Sequence, residues 1–106
     1  MTNTGHKLQF VSSCAVLMHN HGKPARVSVP ALPWSGHWAV TKVSEYTISI
    51  THAPSGLKAG DVSNRRVGRM ICAVLNALPY DWSDYGKVVW EFRDSVWFKW
   101  LKAVTL

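Results

Sequence analysis

An α+β domain with four antiparallel strands followed by two C-terminal helices packed on one face (ββββαα) is the architecture encoded in the patterning of this chain. Its first half alternates apolar and polar residues, most cleanly over 46–52, and its second half repeats apolar residues at helical spacing. Between the halves stands Ala53-Pro54-Ser55-Gly56, a strong turn signal. Strands first and helices after, without βαβ alternation, place the helices together on one side of an antiparallel sheet. The other side of such a sheet is expected to be partly wet.

Residues 8–18 are rich in β-formers and run into His19-Asn20-His21-Gly22-Lys23-Pro24, a cluster of turn residues, which reads as strand and turn. The second strand, 25–29, alternates Ala25, Val27 and Val29 with Arg26 and Ser28 until Pro30 and Pro33 stop regular pairing. After a loop over 34–36, residues 38–43 and 46–52 form the next pair. In the latter, Tyr46, Ile48, Ile50 and His52 face inward against Thr47, Ser49 and Thr51. Gly60 closes the connection to a helix capped by Asp61 or Ser63, with a core stripe of Val67, Met70, Ile71, Val74, Leu75 and Leu78. Pro79 ends it, and Asp81 and Ser83 cap the last helix.

That last helix, 84–106, is too apolar around its circumference for an ordinary surface helix. On a helical wheel Val88, Val89, Phe92, Val96, Trp100 and Ala103 fill a core-facing stripe of about 120°. Trp90, Trp97, Leu101 and Val104 extend the arc on one flank, interrupted by Arg93, while Phe98 projects into the polar face. An arc that wide either packs on both sides within the domain or leaves a surface for a partner or a second copy of the chain.

With 106 residues the chain has one modest core, hence a single domain over 1–106, with 1–5 expected to be disordered. Twelve Lys and Arg against six Asp and Glu give a net charge of +6, which attracts polyanions and acidic protein surfaces. Two cysteines, Cys14 and Cys72, read as small buried hydrophobes, not a secreted disulfide framework. A reducing, cytoplasmic setting follows. The stretch 8–18 contains serines and lacks a small-residue cleavage site, which argues against a signal peptide, and no uncharged apolar run is long enough to span a bilayer.

Arg65-Arg66-x-x-Arg69 is the sharpest charge feature. Cations in the first turns of a helix oppose its macrodipole, at a cost of up to about 1 kcal/mol, so a phosphate or carboxylate partner is one reading and a solvated surface with Asp61 as counterion the other. For nucleic acid, Lys23, Arg26, Lys42, Lys58, Arg65, Arg66 and Arg69 supply charge, and Trp34, Trp38 and Tyr46 supply rings for stacking. The histidines His19, His21, His37 and His52 lack the spacing of a full tetrahedral metal set, and His52 reads as a sheet-edge residue with a local hydrogen bond. Asp81 and Asp84 beside Tyr80 and Tyr85 form no recognisable acid-base cleft. No nucleophile elbow, phosphate loop, dinucleotide fingerprint or zinc-protease helix occurs, so no catalytic, metal or cofactor residues are assigned.

Trp38-Ala39-Val40-Thr41 followed by Ile50-Thr51-His52-Ala53-Pro54-Ser55-Gly56-Leu57 resembles small accessory proteins encoded by bacteriophages, in which a strand ends in a Thr-His-x-Pro-Thr/Ser-Gly turn. The resemblance implies a compact, non-enzymatic protein of the host cytoplasm. Some such proteins block CRISPR effectors, restriction enzymes or RNA polymerase. Because this chain is basic, mimicry of DNA is disfavoured and steric docking remains. The sequence therefore points to an interaction protein docking on a protein or nucleoprotein complex, with Arg65, Arg66 and Arg69 as charged anchors and Trp90, Trp97 and Phe98 as apolar ones. Its C-terminal helix is also a candidate homodimer surface. Direct binding of single-stranded DNA or RNA is the alternative.

Overall fold

In the computed structural model, residues 8–106 are described; the disorder expected of 1–5 lies outside them. The architecture is α+β, with a sheet and then helices as expected, but five strands replace four and three helices replace two among the described residues. The strands are β1 (Ser12–Asn20), β2 (Lys23–Ala31), β3 (Trp38–Ser44), β4 (Thr47–His52) and β5 (Leu57–Val62), antiparallel and in sequential order. Helix α1 (Arg65–Ala77) follows, then a short 3-10 turn (Trp82–Asp84), α2 (Tyr85–Arg93) and α3 (Val96–Val104).

The unforeseen strand is β5. Its residues Lys58, Gly60 and Asp61 are poor β-formers, so local preference gave no signal. Pairing overrides preference here: Gly56 at φ 76° reverses the chain, and β5 returns along β4 with a register shift near Ile50 and Thr51. At the other hairpin, His21 and Gly22 both have positive φ, as a two-residue turn between right-twisted strands requires.

The single terminal helix is in fact two. Asp94 and Ser95 interrupt it: Ser95 leaves the helical conformation and its hydroxyl donates to the Phe92 carbonyl at 2.6 Å, competing with the backbone ladder. This break resets the phase of the wheel. Val88 and Phe92 are buried on α2, but Val96 is 73% exposed and Ala103 is exposed, while Leu101 takes the buried position on α3. Smaller corrections fall on α1, whose cap is Asn64, accepting the Val67 N–H at 2.9 Å, in place of Asp61 or Ser63. Met70 faces outward, and Gly68 and Cys72 are buried in its stead. A Cβ on Gly68 would stand 3.0 Å from a Val40 methyl, so the glycine sets how closely α1 lies on β3.

Nor is the far face of the sheet wet. Residues on β3 and β4 that point away from the helices, namely Ala39, Thr41, Ser49 and Thr51, are all buried. After a single register pair with β3, Ala31 to Thr41, the β1–β2 hairpin turns across that face and seats Cys14 and Ala31 against Ala39. Two ties hold it there: Leu17 N–H donates to the Gly56 carbonyl at 2.8 Å, and the Arg26 guanidinium donates to the Ala53 and Pro54 carbonyls at 3.0 Å each. The buried hydroxyls are satisfied internally, with Thr51 and Thr41 joined at 2.8 Å and Ser49 donating to Asp61 at 2.7 Å. Burial pushes the Cys14 thiol pKa up and that of Cys72 to about 12, so both cysteines sit as neutral small hydrophobes.

On the helix side Trp38, Val40, Ile50 and Val62 of the sheet meet Ile71 and Leu75 of α1, Trp82, and Val88, Phe92 and Leu101 of the C-terminal pair. Tyr46 does not join them; it is 90% exposed in the β3–β4 turn. The chain end returns to β5, where Leu106 N–H donates to the Asp61 carbonyl at 2.8 Å.

Candidate functional site

Three regions carry the residues singled out by sequence. At the start of α1, Arg65, Arg66 and Arg69 are exposed, with no acidic residue in the first turn. Asp61 is not their counterion: it accepts from Ser49 and pairs with Lys58 at 3.2 Å, and the Ser49 hydroxyl, followed by Lys58, holds its carboxyl below the usual range. Arg69 lines a shallow surface depression with Pro33, Trp34 and Ser35.

The seven-residue basic set for nucleic acid is not assembled as one open surface. Lys23 is exposed near the β1–β2 tip, but Arg26 is engaged by two carbonyls, Lys42 lies 5.8 Å from the Phe10 ring centre, and Lys58 holds Asp61. Of the proposed stacking rings, Trp38 is only 1% exposed. Trp34 is 39% exposed, with its indole N–H on the Ser13 carbonyl at 3.0 Å.

On the C-terminal helices, Trp90 is 67% exposed and Trp97 39% exposed, and neither belongs to the core cluster. The Arg93 guanidinium lies 5.4 Å from the Trp90 ring centre and 5.9 Å from that of Phe98, within cation–π range of both. Trp97 meets the edge of Trp100 at 6.1 Å. Phe98, expected as a free anchor, is half-buried and set edge-on to Phe92 at 5.7 Å, because the break at Asp94 and Ser95 turns it toward the core. Arg93 and Val96 take its place on the outer surface. Arg93 was visible as the cation interrupting the apolar arc; Val96 was not, since an unbroken helix would bury it.

Beneath these helices lies a buried aromatic centre. His52 is not at a sheet edge but enclosed by Trp38, Trp82 and Tyr85, stacked on the last at 4.5 Å. Its Nε2 meets the Trp82 carbonyl at 2.6 Å, which requires Nε2 to carry a proton, and its Nδ1 meets the Ser55 hydroxyl at 2.7 Å. The neutral ring is thus fully satisfied. Trp38 differs: its indole N–H is buried without an acceptor among the described residues, a cost of about 1–3 kcal/mol for such a group. Asp81 is committed to Ser83, accepting from both its hydroxyl and its amide, which lowers its pKa. No three His, Cys, Asp or Glu side chains among the described residues lie together as metal ligands would. Nor is any helix among them long and apolar enough to cross a membrane.

Burial lowers the His52 pKa from its ordinary 6.5, outweighing the opposing bond to the Trp82 carbonyl. The unfolded chain therefore takes up this proton before the folded one. Stability should be full above the ordinary imidazole range and decline as pH falls through 6.5 toward the folded value. Thermal melts between neutral and mildly acidic pH check this; the decline should flatten in His52→Gln, whose baseline stability is lower. Equal acid sensitivity in the two proteins would assign the effect to other groups.

Comparison with protein-family models, with curated proteins and with solved structures gave no match to this chain.

Proposed function

We propose that this is a non-enzymatic interaction protein that docks the outer surface of α2 and α3 on a larger protein or nucleoprotein complex. One observation carries the reading: Trp90, Val96 and Trp97 stay exposed in a chain that encloses Trp38 and Trp82 completely. Tryptophan and arginine in contact are favoured binding anchors, and Arg93 over Trp90 supplies both. The arginines at the start of α1 offer a second, charged contact, and the net charge of +6 favours an acidic partner surface. The phage resemblance extends the proposal to a steric, anti-CRISPR-like inhibitor of host defence or transcription machinery. The same tryptophans could instead join two copies of the chain.

Trp90→Ser and Trp97→Ser test this. Each should leave the melting temperature nearly unchanged, within the roughly 0.5 kcal/mol usual for surface changes, and each should weaken partner capture about 30-fold or more. Affinity capture from host lysate after nuclease treatment, followed by sedimentation of the isolated protein, separates a protein partner from a self-associated dimer. Unaltered capture and unaltered sedimentation in the double variant would remove the helical surface from consideration.

Direct nucleic-acid binding has less support, because Trp38 is enclosed and Arg26, Lys42 and Lys58 are engaged within the chain. Salt-sensitive anisotropy of labelled single-stranded DNA or RNA that persists at physiological salt, and is lost in Arg65→Glu with Arg66→Glu, would restore it.

A further inference from the structure

Two adjoining depressions, of about 270 and 170 Å³, lie between the β2–β3 loop and α1, and both are bordered by Pro33, Trp34, Ser35 and Arg69. Together they form a groove whose inner end reaches Asn76. Arg69, Ala73 and Asn76 follow one another at helical spacing, so the groove runs about 10 Å along α1, with Ala73 too small to fill it. Asn76 fixes the opposite wall. Its Oδ1 accepts the His37 and Trp38 backbone N–H groups at 3.0 and 3.2 Å, and its Nδ2 donates to the Ser35 carbonyl at 3.4 Å. Gly36 permits this approach, since a Cβ there would lie 2.8 Å from Asn76 Oδ1.

Trp34 is a second observation. It belongs to neither core cluster, and its indole N–H is taken by the Ser13 carbonyl, so a partly exposed ring is held beside the groove without being packed away. Charge is a third. Residues 31–44 and 62–80, which supply every residue bordering the groove, contain no Asp or Glu, and Arg65 stands exposed one turn before Arg69, with Arg66 next to it.

We propose that this groove binds one nucleotide unit, with its base stacked on Trp34, its phosphate held by Arg65 and Arg66, and Arg69 adding positive potential at the rim. A planar ring beside several guanidinium groups matches a ligand that joins a flat heterocycle to a phosphate. An acidic peptide would use the charges and leave the ring without a counterpart. The inference narrows the nucleic-acid reading to one site that needs none of Arg26, Lys42 or Lys58. It does not rest on docking through α2 and α3, none of whose residues borders the groove.

The test titrates adenosine monophosphate into the full-length protein and follows the indole N–H resonances by NMR, with Trp34 assigned from Trp34→Phe. Saturable displacement of the Trp34 resonance is expected at millimolar or lower concentration, with Trp90 unmoved. Adenosine and inorganic phosphate, each lacking half of the ligand, should bind about tenfold more weakly or not at all. Arg65→Gln with Arg66→Gln, changes at exposed side chains, should weaken binding about tenfold without lowering the melting temperature. Trp34→Leu should weaken it to a similar degree, and Trp90→Ser should leave it intact. A single-stranded hexanucleotide separates the sources: tighter binding than the mononucleotide assigns the unit to a nucleic-acid chain, and binding no tighter assigns it to a free nucleotide. Absence of a saturable Trp34 shift with both about 10 mM mononucleotide and about 0.1 mM hexanucleotide, or equal displacement by a glutamate-rich peptide, overturns the assignment.

Discussion

Trp82→Ala should cost about 4 kcal/mol and lower the melting temperature by roughly 15–30 °C, the largest loss expected from any single truncation in this chain. The residue stands in a short 3-10 turn, yet its ring touches nearly every part of the helix-side core. It meets Trp38 at 5.0 Å, Phe92 at 5.2 Å and Tyr80 at 5.4 Å, each edge-on. Its indole N–H donates to the Leu75 carbonyl at 2.8 Å, in the last turn of α1, and its own carbonyl holds His52 at 2.6 Å. Alanine keeps that carbonyl but opens a void between α1, the sheet and α2, and aromatic surroundings relax poorly into such a space.

Trp82→Phe separates packing from hydrogen bonding. It should cost only about 1–2 kcal/mol, because the Leu75 carbonyl retains the Leu78 N–H at 3.3 Å as a partner. Urea denaturation of both variants gives the comparison. A loss below about 2 kcal/mol for alanine would mean that the helices close over the void and that the turn is not a keystone of the core.

Trp82 also marks where sequence ceased to be legible. Pro79 correctly announced a break after α1, but Asp81 caps the 3-10 turn, not the last helix, and Ser83 caps neither; turns lie ordinarily on the surface, so nothing local distinguished a tryptophan that seals the core. The strands of the first hairpin, the pair β3–β4 and helix α1 were readable because alternation or helical periodicity spanned several residues in each. β5 was not, since Lys58, Gly60 and Asp61 join the sheet only through what β4 offers them. For the candidate surface, Trp90 and Trp97 could be singled out from the width of the apolar arc alone. Phe98 could not be placed, because one irregular residue, Ser95, decides which way every side chain of α3 points. The exposure of Arg65 and Arg66 followed from their place opposite the apolar stripe. The fates of Arg26 and Lys58 depended on contacts with Ala53, Pro54 and Asp61 that only the folded hairpins create.

These long-range ties have a shared purpose in the fold. The helix side buries large aromatic groups, whereas the fully buried residues of β3 and β4 on the far face are Ala39 and three hydroxyl residues, which gain little from hydrophobic burial. Covering such a face depends on fixing the hairpin geometrically. Arg26 does so at one point and the backbone of Gly56 at another.

Gly56→Ala should accordingly be the most damaging small substitution, at about 3 kcal/mol or more. Its φ of 76° already disfavours any side chain, and a Cβ there would lie 2.8 Å from the Leu17 nitrogen and 3.3 Å from the Ala15 carbonyl oxygen. Both are backbone atoms and cannot rotate aside. The β1–β2 hairpin must lift, breaking the Leu17 N–H bond to Gly56 and wetting Thr41 and Thr51, whose hydroxyls are paired only with each other and with Ser49. Gly22→Ala supplies the control: φ is 79°, but nothing lies within 4 Å of its Cβ, so conformational strain of about 1 kcal/mol is the whole expected cost. Hydrogen exchange at Leu17 should accelerate strongly in the Gly56 variant and little in the Gly22 variant. Equal destabilisation of the two would show that the hairpin is held by its side chains and that its closure on the β4–β5 turn contributes nothing.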